Sequence, residues 1–203
     1  RPSRGVDSQG MEPIQETTKP RPANRVPVAV GPLLAGLVLI WGTSCAPALH
    51  ASVAAPLAVQ VGTSFFESAG HRIRVDVYRP RSAGRHPSVI VAHGSSGVHR
   101  IVSDTASRYA RALAEQGIVA FVVHYFDVTG TFMANRAEEA EHYDVWAGVL
   151  RDAVTWVLQL PEVDGGEVGL LGHSLGAFLV VGATAFDPRV RRVVLLGGGL
   201  EPF

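Results

Sequence analysis

Only one cysteine, Cys45, stands in a chain of 203 residues. A lone thiol closes no intramolecular disulfide and excludes a cysteine-rich zinc site. A charge excess of either sign is lacking too, since 18 Lys and Arg balance 18 Asp and Glu. A nucleic-acid partner normally leaves a basic footprint, so none is expected. The eight histidines are scattered without the spacing of metal ligands, so no metal or other cofactor is implied. What remains is an ordinary apolar inventory, 47% of the residues, enough for one domain with a sizeable core.

A long apolar run is also missing. The best candidate, Val26 to Trp41, is broken by Pro27, Gly31, Pro32 and Gly36. It is shorter than the about 20 residues of a membrane-spanning helix. Lys19, Arg21 and Arg25 precede it, and small residues follow. That is the order of a secretory signal peptide, so the protein is expected to be exported, periplasmic or extracellular. Two processing points stay open: cleavage after Ser52-Val53-Ala54, or lipidation of Cys45 after Thr43-Ser44. The second, or an uncleaved anchor, is the one expected link to a membrane. The chain starts at Arg1 with its first Met at position 11, and stops at Phe203 just after an apolar run. The expectation is therefore a fragment, with a leader over 1–54 and a partial catalytic domain over 55–203.

From Leu57 onward, strand and helix signals alternate. Val59–Phe66 and Arg72–Tyr78 read as a hairpin around Ser68-Ala69-Gly70, the second strand placing Ile73, Val75 and Val77 on one face. Ser88–Ala92, Ile118–Val123, Val168–Leu171 and Val190–Leu196 read as short buried strands. Helices are expected over Asp104–Gln116, Tyr143–Leu160 (stopped by Pro161) and Leu175–Ala185. Trp146 and Trp156 are read as packing residues. Such alternation implies an α/β fold: a mostly parallel, doubly wound sheet with helices on both faces.

Two loops carry chemistry. Gly172-His173-Ser174-Leu175-Gly176 is a G-x-S-x-G pentapeptide between a strand and a helix. In that context it is a nucleophile elbow, which lifts the Ser174 hydroxyl above a helix N-terminus. His93-Gly94-Ser95-Ser96-Gly97 follows another strand, at the strand end where such sheets bind ligands. Acyl transfer needs two donors aimed at a developing oxyanion. The Leu175 N–H is expected to be one and the Ser95 N–H the other, with Ser96 as the second choice.

These motifs and their order resemble the α/β-hydrolase fold and, within it, the dienelactone hydrolase family. The closer resemblance rests on Val89–Gly97, on His124–Thr131, on Gly169–Ala177 and on Asp187-Pro188-Arg189-Val190. It implies a serine carboxylic-ester hydrolase working through an acyl-enzyme on a small-molecule ester. Two departures stand out. The family's nucleophile is a cysteine, and here it is Ser174. Gly94 stands where relatives carry a glutamate that activates that cysteine.

Serine needs a general base oriented by a carboxylate, and on this fold the chain order is Ser, acid, His. Every histidine here precedes Ser174. His124, ending a strand near the pocket, is the one substitute considered. Asp187 reads as a turn residue, and Glu201 as the carboxylate nearest the usual end of the sheet. His93, Gly94, Ser96, Tyr125 and Arg136 are expected to line the pocket, with Phe126 and Asp127 beside Tyr125. Arg136 is placed in the loop before the long helix, read first as a solvated side chain and otherwise as a partner for a substrate carboxylate. The expected enzyme thus lacks its acid and base in this chain. The competing reading is a truncated or non-catalytic binding protein of the same fold.

Overall fold

Short runs of β-branched residues build a six-stranded sheet in a computed structural model that describes residues 55–99, 104–185 and 187–198. Strands β1 (Val59–Ser68) and β2 (His71–Pro80) form the expected hairpin. The chain reverses at Ala69-Gly70, both at positive φ. Then come β3 (Ser88–Ala92), α1 (Thr105–Glu115), β4 (Val119–Val123), a 3-10 turn (Tyr125–Val128), α2 (Arg136–Val157), β5 (Val168–His173), α3 (Leu175–Thr184) and β6 (Val190–Leu196). The spatial order is β1-β2-β4-β3-β5-β6. Strands β4, β3, β5 and β6 are mutually parallel, and the hairpin joins antiparallel through β2.

Both faces are covered, as a buried parallel sheet requires. Helix α1 lays Ala106, Ala110 and Ala114 on Val91, Ala120, Val122 and Leu171. On the other face, Trp146, Leu150 and Val154 of α2 and Leu179 of α3 pack on Ile90, Phe121 and Leu170. Trp156 stacks on Phe66 at 5.4 Å between ring centres, so both tryptophans are packing residues. Truncating a buried ring such as Phe121 to Ala costs about 3–5 kcal/mol.

One register decides where function sits. Strands β3 and β5 are neighbours, and Ala92 is paired with Gly172. The loops that leave these two residues therefore start side by side.

Two expectations need correction. Helix α2 begins at Arg136, two turns before Tyr143. Asn135 caps it: its side chain accepts from Ala137 and Glu138 N–H, and Glu138 reaches back to the Asn135 N–H. The polar first turns carry no apolar stripe, so hydrophobic periodicity misses them. Arg136 is thus the first helical residue, not a loop residue. Tyr125 does not line an open pocket, because it is fully buried. The expectations for Val26–Trp41, Cys45, the 52–54 cleavage point and Glu201 lie outside the described residues. Among the described residues no helix is long and apolar enough to cross a membrane.

Candidate active site

Ser174 adopts φ 52° and ψ −119°, between the end of β5 and the first turn of α3. Such backbone costs of order 1–3 kcal/mol and persists only where its surroundings impose it. Here they do. A Cβ on Gly172 would lie 2.2 Å from the Gly176 carbonyl oxygen, and one on Gly176 would lie 2.3 Å from that of Ala92. The Ser174 N–H donates to the Leu196 carbonyl at 2.8 Å, tying the elbow to the end of β6. The Ser174 hydroxyl makes no capping bond and is partly exposed.

The loop after β3 presses on this elbow. A Cβ on Gly94 would sit 3.3 Å from Ser174 Cβ and 3.3 Å from His173 Nδ1. Gly94 therefore gives the approach of the two loops its room. Its carbonyl accepts from His93 Nδ1 at 2.8 Å and from the Gly97 N–H at 3.0 Å. A trans peptide sets C=O and the next N–H antiparallel, so pinning the Gly94 carbonyl turns the Ser95 N–H the other way. Neither the Ser95 N–H nor the Leu175 N–H has a backbone acceptor among the described residues. The Leu175 N–H belongs to the first turn of α3, where helix geometry leaves donors open and the dipole favours negative charge. Ser96 is more exposed than Ser95.

His93 is buried, its ring stacked on Tyr125 at 4.0 Å and edge-on to Phe126 at 4.7 Å. Burial drives its pKa down to about 3, against the opposing pull of the Gly94 carbonyl. It is a neutral scaffold imidazole. Burial, with the Glu139 charge adding to it, pushes the Tyr125 phenol well above its ordinary value, and its hydroxyl donates to the His93 carbonyl at 2.7 Å.

Sequence reasoning missed Glu139. It lies in the first turn of α2 and is 6% exposed. Its carboxylate accepts the Ser95 hydroxyl and lies 3.7 Å from the Arg136 guanidinium at the rim. A second link joins the same elements, from the Ala134 N–H to the Ser95 carbonyl at 2.8 Å.

His124 does not serve Ser174. Its Nε2 meets the Asp76 carboxylate at 2.9 Å, on β2, while β3 separates β4 from the elbow strand. Two strand spacings are roughly 10 Å. Burial would raise the Asp76 carboxyl, but hydrogen bonds from His124 and Arg74 hold it below its ordinary value. This is an internal ion-pair cluster with no link to the nucleophile. The Asp127 carboxylate is likewise taken, by the Arg74 N–H at 2.9 Å. Asp187 is a turn residue as expected; the Arg189 side chain beside it holds its carboxyl below the usual value. No group of three or more His, Cys, Asp and Glu gathers as a metal would need among the described residues. A cavity of about 390 Å³ exists, but Pro87, Ser88, Val168 and Arg191 line it, at the opposite ends of the strands from Ser174.

Comparisons with known proteins bear on the family and the fold. Residues 73–202 match the pattern of the Dienelactone hydrolase family. The chain belongs to the dienelactone hydrolase family. A thiohydrolase of Aspergillus aculeatus, aneE, is 29% identical over 133 residues, covering 64% of this chain and 39% of that protein. The chain thus spans about two-fifths of this curated relative's length. Among solved structures, m3DLH superposes with a TM-score of 0.63 at 18% identity, over 71% of this chain and 62% of that one. The dienelactone hydrolase-like promiscuous phosphotriesterase P91, from metagenomic libraries, gives 0.59 at 21% identity, over 72% and 62%. These likenesses show the α/β-hydrolase fold of the family.

Proposed function

We propose that this chain carries the nucleophile and the oxyanion donors of an exported serine hydrolase acting on carboxylic esters. One observation carries the reading: Ser174 stands at a strained elbow with the Gly94 loop packed against its Cβ, and the Ser95 and Leu175 N–H groups, next in each loop, have no backbone acceptor among the described residues. Ser174 Oγ attacks the ester carbonyl carbon. The carbonyl oxygen becomes an oxyanion held by those two N–H groups while a general base takes the Ser174 proton. The oxyanion collapses, the C–O bond to the alkoxy group breaks, and that group leaves as the alcohol with the proton. Water then adds to the acyl carbon to release the acid and the free Ser174 hydroxyl. Arg136, exposed at the rim, would meet a charged group of the substrate. The names of the similar thiohydrolase and phosphotriesterase support a hydrolytic reaction, and the serine nucleophile with its oxyanion donors favours carboxylic esters. Export rests on the leader's charged, apolar and small-residue order.

No histidine or carboxylate among the described residues bonds the Ser174 hydroxyl. The 203-residue chain alone is therefore expected to turn over p-nitrophenyl esters little. Added imidazole supplies a base. With it, a fluorophosphonate probe is expected to phosphonylate Ser174 and to leave Ser174→Ala unlabelled. Equal labelling of both proteins sinks the hydrolase reading in favour of a non-catalytic protein of this fold. Robust Ser174-dependent turnover without imidazole shows that the chain does hold its own base.

A further inference from the structure

Ser95 is held on three sides. The carbonyl before it is pinned by His93 Nδ1 and the Gly97 N–H, its own carbonyl by the Ala134 N–H, and its hydroxyl by Glu139. Its N–H has no backbone acceptor among the described residues. Two of these partners, Ala134 and Glu139, come from the start of α2 and its approach, not from the loop itself. A carboxylate buried to 6% exposure is costly unless its hydrogen bonds repay it. The first turn of a helix, where the dipole favours an anion, lowers that cost.

We infer that Glu139 is the positioning residue of the oxyanion loop: its carboxylate holds the Ser95 side chain so that the Ser95 N–H stays presented beside Ser174. The inference rests on the hydrolase reading for its catalytic consequence, and on the bonds around Ser95 for the tether itself. Glu139 touches no reacting atom in this scheme. It stands in for rigidity that the loop, with glycine at 94 and 97, lacks on its own. A misplacement of about 1 Å in a site of this kind costs up to about a hundredfold in rate, so the tether matters even though it is indirect.

Two amides report the tether directly. The Gly97 N–H bonds the Gly94 carbonyl, and the Ala134 N–H bonds the Ser95 carbonyl. Glu139→Ala is expected to speed hydrogen exchange at both by about tenfold while leaving the buried Phe121 amide in β4 unchanged. The same variant should slow imidazole-assisted phosphonylation of Ser174 by roughly tenfold. Glu139→Gln keeps an acceptor and should stay within about threefold of the parent, and Glu141→Ala, exposed on the same helix, should match it. Ser95→Ala keeps the N–H but loses the tether; it should resemble Glu139→Ala, and the double variant should be no slower than either single one. Unchanged exchange at Gly97 and Ala134 in Glu139→Ala overturns the tether. Faster exchange with an unchanged labelling rate overturns its positioning role. A parent protein that does not label Ser174 defeats the hydrolase reading instead, and exchange then decides the tether alone.

Discussion

His93 is a histidine whose burial removes it from physiological titration. In the unfolded chain its imidazole takes a proton below about pH 6.5. The folded protein refuses that proton until about pH 3. The unfolded state therefore binds more protons across this window, and stability falls as pH is lowered from 6.5 towards 3. Between pH 7 and 4.5 the loss should be about 2–3 kcal/mol from His93 alone. The depressed carboxyls of Asp76 and Asp187 add their loss only lower, as pH passes down through the carboxylate range. Urea unfolding at pH 7 and pH 4.5 separates the two contributions. His93→Gln, which does not titrate, should flatten the decline between those values; an equal decline in both proteins would place the pH dependence elsewhere. The same burial explains why His93 is no general base. Its proton-bearing Nδ1 serves the Gly94 carbonyl, and its ring serves as packing for Tyr125 and Phe126.

At the scale of elements, the start of α2 matters more to the candidate site than its length suggests. The Asn135 cap and the Glu138 return bond fix the turn that carries Arg136 and Glu139. Asn135→Ala should lower stability by about 1 kcal/mol, read by thermal or urea unfolding, and should loosen the Ala134 amide in exchange. No change in either would mean the turn is held by other contacts. The elbow and the loop after β3 are legible in the sequence because each needs glycine at fixed places. Backbone closeness at Gly172 and Gly176 admits no Cβ, and that requirement is written in the residues. Sheet strands are legible because burial on both faces demands runs such as Val119-Ala120-Phe121-Val122-Val123. Glu139 is not legible in this way. It is one of three acids in a polar stretch, and only its long-range partner, 44 residues earlier, distinguishes it from Glu138 and Glu141. The one local signal is the Asn135-x-x-Glu138 capping box, which starts the helix early and so brings Glu139 into the first turn. Tyr125 shows the reverse error: an aromatic at a strand end looks like a pocket wall, but its hydroxyl has a backbone acceptor and its ring a stacking partner inside the core.

At the scale of the whole sheet, its two edges among the described residues are finished differently. On the β1 edge, the exposed Phe65 is covered by the Arg72 guanidinium at 3.8 Å from its ring centre. At the other side, β6 pairs with β5 and has no second neighbour among the described residues. Its first half carries Arg191 and Arg192, and Arg191 pairs with Glu167. Its second half, Val193-Val194-Leu195-Leu196, carries no charge, and Val193 and Val194 are 41% and 46% exposed. The neighbouring cavity of about 390 Å³, lined in part by Leu113, Ile118 and Val194, leaves more apolar surface open beside it. An exposed apolar edge strand with free N–H and C=O groups is a template for another copy. Produced by itself, the 203-residue polypeptide is expected to self-associate through this strand as its concentration rises. Arg191 and Arg192 guard only one end of β6, so the remedy belongs at the other end. Val194→Lys, half-exposed and distant from Ser95 in the sequence, places a charge there without opening a cavity. Sedimentation velocity over a concentration series should show a larger monomer fraction for Val194→Lys than for the parent, at unchanged fold by circular dichroism. If both proteins associate alike, β6 is not the adhesive edge.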